Sequence, residues 1–350
     1  MDLKKFIATL SNTPGISGLE REVTKHIVKA WEELADEVEV DTLGNVIAWK
    51  KGKDNSKPPI MVAAHQDEIG FLVNEIDKEG FVRLEPIGGI DPRLLPGQEV
   101  IIWGKEKVHG IIGAKPPHLQ KPEEREKAIP LDKIFVDCGM EKEPLAKKIR
   151  VGDPITFNQE LQWFNENVCT GKSLDDRAGV AALHQALLDL KDITPGFDVA
   201  FVATVQEEVG VRGAIASSFK LNPALGIAVD VGFAQRPGQE KEQSIEANKG
   251  PALGIGPHVH PDLFARLQKI AGENDIPTQL EPSPHPGGTD AYAIQMSRCG
   301  VATALLSIPL ANMHSPLEVI DIRDVRRTGK LIAKFCQEAD AELVEGLTCL

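Results

Sequence analysis

Four apolar runs constrain this chain more than any other feature: Ile60-Met-Val-Ala-Ala, Val199-Ala-Phe-Val-Ala-Thr-Val, Leu225-Gly-Ile-Ala-Val and Ala302-Thr-Ala-Leu-Leu-Ser-Ile. Each reads as a buried strand, and each is followed by a potential metal ligand. His65 follows the first, Glu207-Glu208 the second and Asp230 the third, while His314 lies beyond the fourth. Asp175-Asp176 open a helix-like stretch between the first two runs. The carboxyl ends of strands in an open parallel sheet form one crevice where ligands bind. Residues far apart in sequence can therefore meet there.

Two histidines and several carboxylates at such a point describe a hydrolytic metal site. Taken singly, a His at a strand end is ordinarily structural, and an Asp after a strand is ordinarily a helix cap. The constellation is what carries weight. His65-Gln-Asp67 puts a ligand and a carboxylate two residues apart on one side of an extended chain, where the acid can influence the imidazole. Ser173-Leu-Asp-Asp-Arg-Ala-Gly179 pairs two acids at a helix mouth, and one carboxylate bridging two divalent ions would hold them about 3.5–4 Å apart. In Gln206-Glu-Glu-Val-Gly210, one carboxylate naturally ligates while its neighbour faces water as a general base. Oxygen and nitrogen donors without cysteine favour Zn or Co, with Mn as a third option. His258 and His260 are flanked by Pro257 and Pro261 and are weaker candidates. So are His26 and His184 on expected helices, and His109 and His118 in a different part of the chain.

The rest of the sequence sets the frame. Ser17-Gly-Leu-Glu20 has the form of a capping box leading into a helix from Glu22. Residues 69–166 change texture to short alternating strands separated by Gly and Pro, the pattern of a small all-β barrel or sandwich. The polar, proline-rich stretch from Lys115 to Lys127 is expected to be an exposed loop. Strand–helix alternation then resumes and ends in a helix from about Ile322 to Leu343. The expectation is a mixed-sheet α/β catalytic domain (1–68 and 167–350) interrupted by an inserted β domain (69–166).

A net charge of −13 argues against a nucleic-acid surface. No signal peptide or membrane span is read, and five scattered cysteines suit reduced thiols in a cytoplasm.

The motifs together resemble a known family. Ala64-His-Gln-Asp-Glu-Ile-Gly, Ser173-Leu-Asp-Asp-Arg-Ala-Gly, Val205-Gln-Glu-Glu-Val-Gly-Val-Arg-Gly-Ala, Ala228-Val-Asp, Gly287-Gly-Thr-Asp-Ala and Met313-His-Ser look like those of the tetrahedral (TET) aminopeptidases. These are dinuclear metallo-aminopeptidases of the leucyl, glutamyl and lysyl types, some of them mislabelled as endoglucanases. The likeness extends to Pro86-Ile-Gly-Gly-Ile-Asp-Pro and Pro116-Pro-His-Leu-Gln-Lys-Pro.

Several expectations follow from the resemblance. Asp175 would bridge two metal ions, with His65 and Asp230 completing one and Glu208 and His314 the other. Glu207 would be the general base acting on a metal-bridging water, and Asp67 the acid supporting His65. Asp176 would hold an unusual backbone geometry rather than ligate. The inserted β unit, barrel-like or PDZ-like, would make dimer contacts, and dimers would assemble into a dodecamer acting on short peptides. Leu310-Ala-Asn-Met departs from the Arg-Tyr type sequence usual in relatives. A deacylase or carboxypeptidase on the same cage is the principal rival. A glycosidase is the lesser one, disfavoured by an aromatic content of 5%.

Overall fold

The computed structural model describes residues 1–119, 121, 127–238, 240, 244–284 and 287–347. Three of the four apolar runs lie side by side as β12 (Val199–Thr204), β3 (Ile60–His65) and β13 (Leu225–Phe233), and the fourth, β16 (Ala302–Ala311), pairs with β13. All four are parallel to their neighbours in this block. Every residue of β3 and β12 is buried, which explains why their sequences show no polar alternation.

Antiparallel strands extend the block on both sides. β1 (Glu37–Val40) and β2 (Val46–Lys50) flank β12, while β17 (Glu318–Asp321), β11 (Val168–Gly171) and β10 (Gln162–Trp163) follow β16. β14 (Ala252–Ile255) also pairs with β16 and carries β15 (Gln279–Pro282). The result is an 11-stranded mixed sheet. Helices Leu3–Asn12, Leu174–Asp189 and Ile322–Glu338 contribute Phe6, Val180 and Leu331 to the larger core on one face. The other face is covered by a smaller core that includes Ala291 and Ile294 of the helix Asp290–Gln295.

A separate closed barrel is inserted between β3 and β10. Its strands are β4 (Gly70–Ile76), β5 (Val82–Ile87), β6 (Glu99–Trp103), β7 (Lys107–Gly113), β8 (Phe135–Asp137) and β9 (Pro154–Phe157). Phe71, Val100, Ile112 and Val136 fill its own core. β8 and β9, of three and four residues, are too short to show alternation in the sequence. Of the expected 115–127 loop, Pro117–Leu119 forms one 3-10 turn, and residues 120 and 122–126 lie outside the described residues.

Two local expectations are corrected. Ser17 does not cap the helix Arg21–Trp31; its hydroxyl donates to Asp67 Oδ2 at 2.6 Å, and Glu20 occupies the cap position with its side chain bound to Gly18 N–H and Gln206 N–H rather than to the helix. The last helix does not run on to Leu343. It ends at Glu338, and Asp340 caps a second helix, Ala341–Gly346, by accepting from Leu343 N–H at 2.8 Å. Among the described residues no helix is long and apolar enough to cross a membrane.

Behind β3 lies a buried ionic network. Glu68 (3% exposed) accepts from Lys172 Nζ at 2.6 Å and Arg177 Nη2 at 3.3 Å. Arg177 also donates to the carbonyls of Gln66, Leu10 and Thr13, tying the first helix to the strand that carries His65. Burial holds the Lys172 pKa down at about 8. Breaking a buried pair from one side leaves an uncompensated charge, at about 3–5 kcal/mol. Glu68→Ala is therefore expected to lower unfolding stability by about that amount in urea titration. A variant within about 0.5 kcal/mol of wild type would show that the network is dispensable.

Candidate metal centre

The strand ends converge as their order requires. His65 is the last residue of β3 and pairs in register with Thr204, the last residue of β12. The chain leaving β12 turns through Gln206, at φ 57°, and presents Glu207 and Glu208. Asp230 lies within β13, sixth of its nine residues and opposite Ser307, so the strand runs on past the apolar run that marked it. Beyond β16, Asn312 (φ 59°) and His314 (φ 57°) adopt the left-handed conformation, which Asn and His tolerate better than most residues. That turn brings the His314 imidazole back over the sheet.

Asp175 sits at the centre. Its Oδ1 lies 3.2 Å from His65 Nε2, and its Oδ2 lies 3.3 Å from His314 Nε2. His314 Nε2 is also 3.4 Å from Glu208 Oε1. Two triads of ligand atoms result, His65/Asp175/Asp230 and Asp175/Glu208/His314, with the atoms of each triad within 4.8 Å of one another. Asp175 belongs to both. Glu207 belongs to neither, although its Oε2 comes within 3.9 Å of His65 Nε2.

The donors fit divalent cations: imidazole nitrogens and carboxylate oxygens, with no thiolate. Among the described residues, no lysine or arginine lines the cavity around them to offset the carboxylates.

Burial shapes the electrostatics. Desolvation raises the Glu207 pKa to about 10, Asp230 to about 8 and Glu208 to about 7, each helped by neighbouring acids. Burial also opposes ionisation of Asp175, but the hydrogen bonds of His314 and His65 outweigh it and hold its carboxyl well below the usual range. The Asp175 contact raises His314 to about 9. A cation placed among these groups would favour the ionised carboxylates and the neutral imidazoles.

The supporting residues differ in how visible they were. Asp176 caps its helix, accepting from Gly179 N–H at 2.9 Å and His65 N–H at 3.3 Å, and the Asp175–Asp176 peptide is cis. Asp67 faces His65 Nδ1 at 3.4 Å in poor alignment for a hydrogen bond. Its firmer contacts are the N–H groups of Glu207 at 3.0 Å and Glu208 at 3.2 Å, together with the Ser17 hydroxyl. Asp67 thus anchors the Glu207-Glu208 turn.

Sequence reasoning missed Glu318. Its Oε2 accepts from Asp175 N–H at 3.0 Å and its Oε1 from His314 N–H at 3.1 Å, fixing both segments at once. The only hint was its place four residues after His314. A glutamine can accept only one of these bonds. Glu318→Gln is expected to weaken metal binding about 10- to 100-fold, as loss of outer partners of ligands does. Metal titration monitored by calorimetry reads this directly, and unchanged affinity would make Glu318 a bystander.

The inserted barrel reaches the same place. A Cβ added at Gly89, in the loop after β5, would stand 3.0 Å from His314 Nδ1. His258 and His260 lie outside the cluster; His260 instead caps the helix Pro261–Glu273 through its Nδ1.

The family model for the M42 glutamyl aminopeptidases matches residues 44–331, which contain every residue of both triads. The chain belongs to the M42 glutamyl aminopeptidase family. It is 40% identical to a lysyl aminopeptidase of Pyrococcus furiosus over 341 residues, covering 96% of each chain. Its fold matches a TET aminopeptidase from Thaumarchaeota archaeon SCGC AB-539-E09 with a TM-score of 0.94, at 35% identity and 99% coverage of each chain. It also matches the Pyrococcus horikoshii TET1 peptidase at TM-score 0.85, at 32% identity and covering 97% of this chain and all of the other. An M42 member of this kind is a hydrolase of the exopeptidase class.

Proposed function

We propose that the chain releases single amino acids from the free N-terminus of short peptides, with two divalent ions held by His65, Asp175, Glu208, Asp230 and His314. The observation that carries this reading is the pair of triads sharing Asp175, open to a cavity of about 560 Å³. When bound, the ions would supply Lewis acidity toward the scissile carbonyl and a nucleophilic water. Glu207, outside both triads but facing the same cavity, takes the proton from the attacking water and returns it to the leaving amine. Asp67 keeps Glu207 in place through its backbone N–H. The acids around the cluster favour a protonated α-amine nearby, so an acetylated terminus should not be accepted.

Zn or Co is the proposed metal and the cytoplasm the proposed compartment, in keeping with free cysteines at 138, 169, 299 and 336. The P. horikoshii peptidase is described as assembling into a tetrahedron or an octahedral shell. We extend a homo-oligomer to this chain: dimers joined through the inserted unit 69–166 that assemble into a tetrahedral dodecamer. Sedimentation as a monomer at micromolar concentration would remove that part.

Chelation followed by return of Zn, Co or Mn is expected to abolish and then restore release of N-terminal residues from free peptides, with N-acetylated peptides left intact. Equal cleavage of free and blocked peptides would move the reading to a deacylase or endopeptidase on the same cage.

A further inference from the structure

The cavity that holds the ligand cluster also has an apolar wall. Val211, Val231, Phe233, Tyr292 and Met313 line it, and two of these are unusually open: Phe233 is 55% exposed and Tyr292 is 43% exposed. Large aromatics left open beside a catalytic cluster are suited to cover a ligand side chain.

The same wall offers nothing to a charged side chain. Among the described residues, the titratable groups lining the cavity are the metal-site acids and histidines, apart from the phenol of Tyr292. The four carboxylates there, Asp175, Glu207, Glu208 and Asp230, belong to the proposed metal centre. Among the described residues lining the cavity, none outside the cluster offers a counter-charge to a lysine or glutamate side chain. Burying either without a partner is costly.

One further carboxylate lies close behind. Glu281 meets β13 at Gly232, where a Cβ would stand 2.8 Å from its Oε1. Strand alternation puts that contact on the face of β13 that carries Asp230, away from Val231 and Phe233. Burial raises the pKa of Glu281 and favours its neutral form.

We propose that Phe233, Tyr292 and Met313 form the pocket for the N-terminal side chain and select an apolar residue of leucine, methionine or phenylalanine size. This rests on the aminopeptidase reading of the site. It departs from the lysyl preference stated in the name of the P. furiosus relative.

The test compares p-nitroanilides of leucine, alanine, lysine and glutamate on the metal-reconstituted full chain. The expected kcat/KM for leucine exceeds those for lysine and glutamate by about 30-fold or more, within the range that apolar-pocket discrimination reaches. Phe233→Ala should reduce the leucine-to-alanine ratio about tenfold, and Tyr292→Ala serves if that variant is poorly soluble.

Calorimetric titration of the free amino acids into Glu207→Gln protein gives a readout without turnover, in which leucine binds most tightly. A preference for lysine or glutamate in either assay overturns the proposal, and a lysine preference would point to Glu281. Equal rates for all four substrates overturn it as well. If no unblocked substrate is hydrolysed, the aminopeptidase reading fails, while the titration still decides what the pocket selects.

Discussion

Asp175→Asn is expected to empty both metal positions together. The two oxygens of Asp175 face different histidines, His65 at 3.2 Å and His314 at 3.3 Å, and the residue belongs to both ligand triads. Asparagine keeps the shape but replaces one oxygen with an amide nitrogen, which donates and cannot ligate. It also removes the negative charge at the point where two cations would meet. Loss of a mere outer partner costs about 10- to 100-fold in metal affinity, so loss of the shared ligand should exceed 100-fold. Metal analysis after dialysis reads the outcome, with the circular dichroism of the apo protein as the control for folding. Retention of both ions at wild-type affinity would show that Asp175 is not shared.

The second large effect separates chemistry from binding. Glu207→Gln is nearly isosteric, and Glu207 lies outside both triads, so metal content should stay at the wild-type level. Its anchor survives too, because Asp67 holds the backbone N–H of residue 207 and not its side chain. What is lost is the proton acceptor. A positioned general base contributes about 10²–10⁴-fold, and kcat should fall by that factor with little change in KM. Turnover within a few-fold of wild type would show that Glu207 is not the base.

Together with Glu318→Gln, these variants divide the centre by role. Asp175 concerns whether ions are held, Glu318 how firmly, and Glu207 what happens once they are held. Three different measurements respond, so a single misfolded variant could not imitate the pattern.

The strand ends were legible because burial leaves a direct mark on sequence. β3, β12, β13 and β16 are almost wholly buried, so their residues are apolar without alternation, and the polar residues that follow stand out. The inserted barrel was legible for the complementary reason: β7 alternates buried and exposed positions along its length. Local chemistry was harder to read. Ser17 and Glu20 have the form of a capping box, yet the Ser17 hydroxyl is bound to Asp67, fifty residues away in sequence. Of the adjacent acids Asp175 and Asp176, one faces both histidines and the other caps the helix, although each has the same side chain at the same helix mouth.

By itself, then, the sequence determined which segments are buried strands, which acids and histidines stand at their ends, and the family to which that order belongs. Hydrophobic pattern is a local property, and it survives in one dimension. Only the tertiary structure decided that Glu318 holds both Asp175 and His314, and that a glycine of the inserted barrel packs against the His314 ring. These depend on strand order and on the direction of each turn, which are set by the packing of segments distant in sequence. The apolar cavity wall belongs to the same class, since Val211, Phe233, Tyr292 and Met313 come from four separate segments and become one surface only when the sheet is assembled.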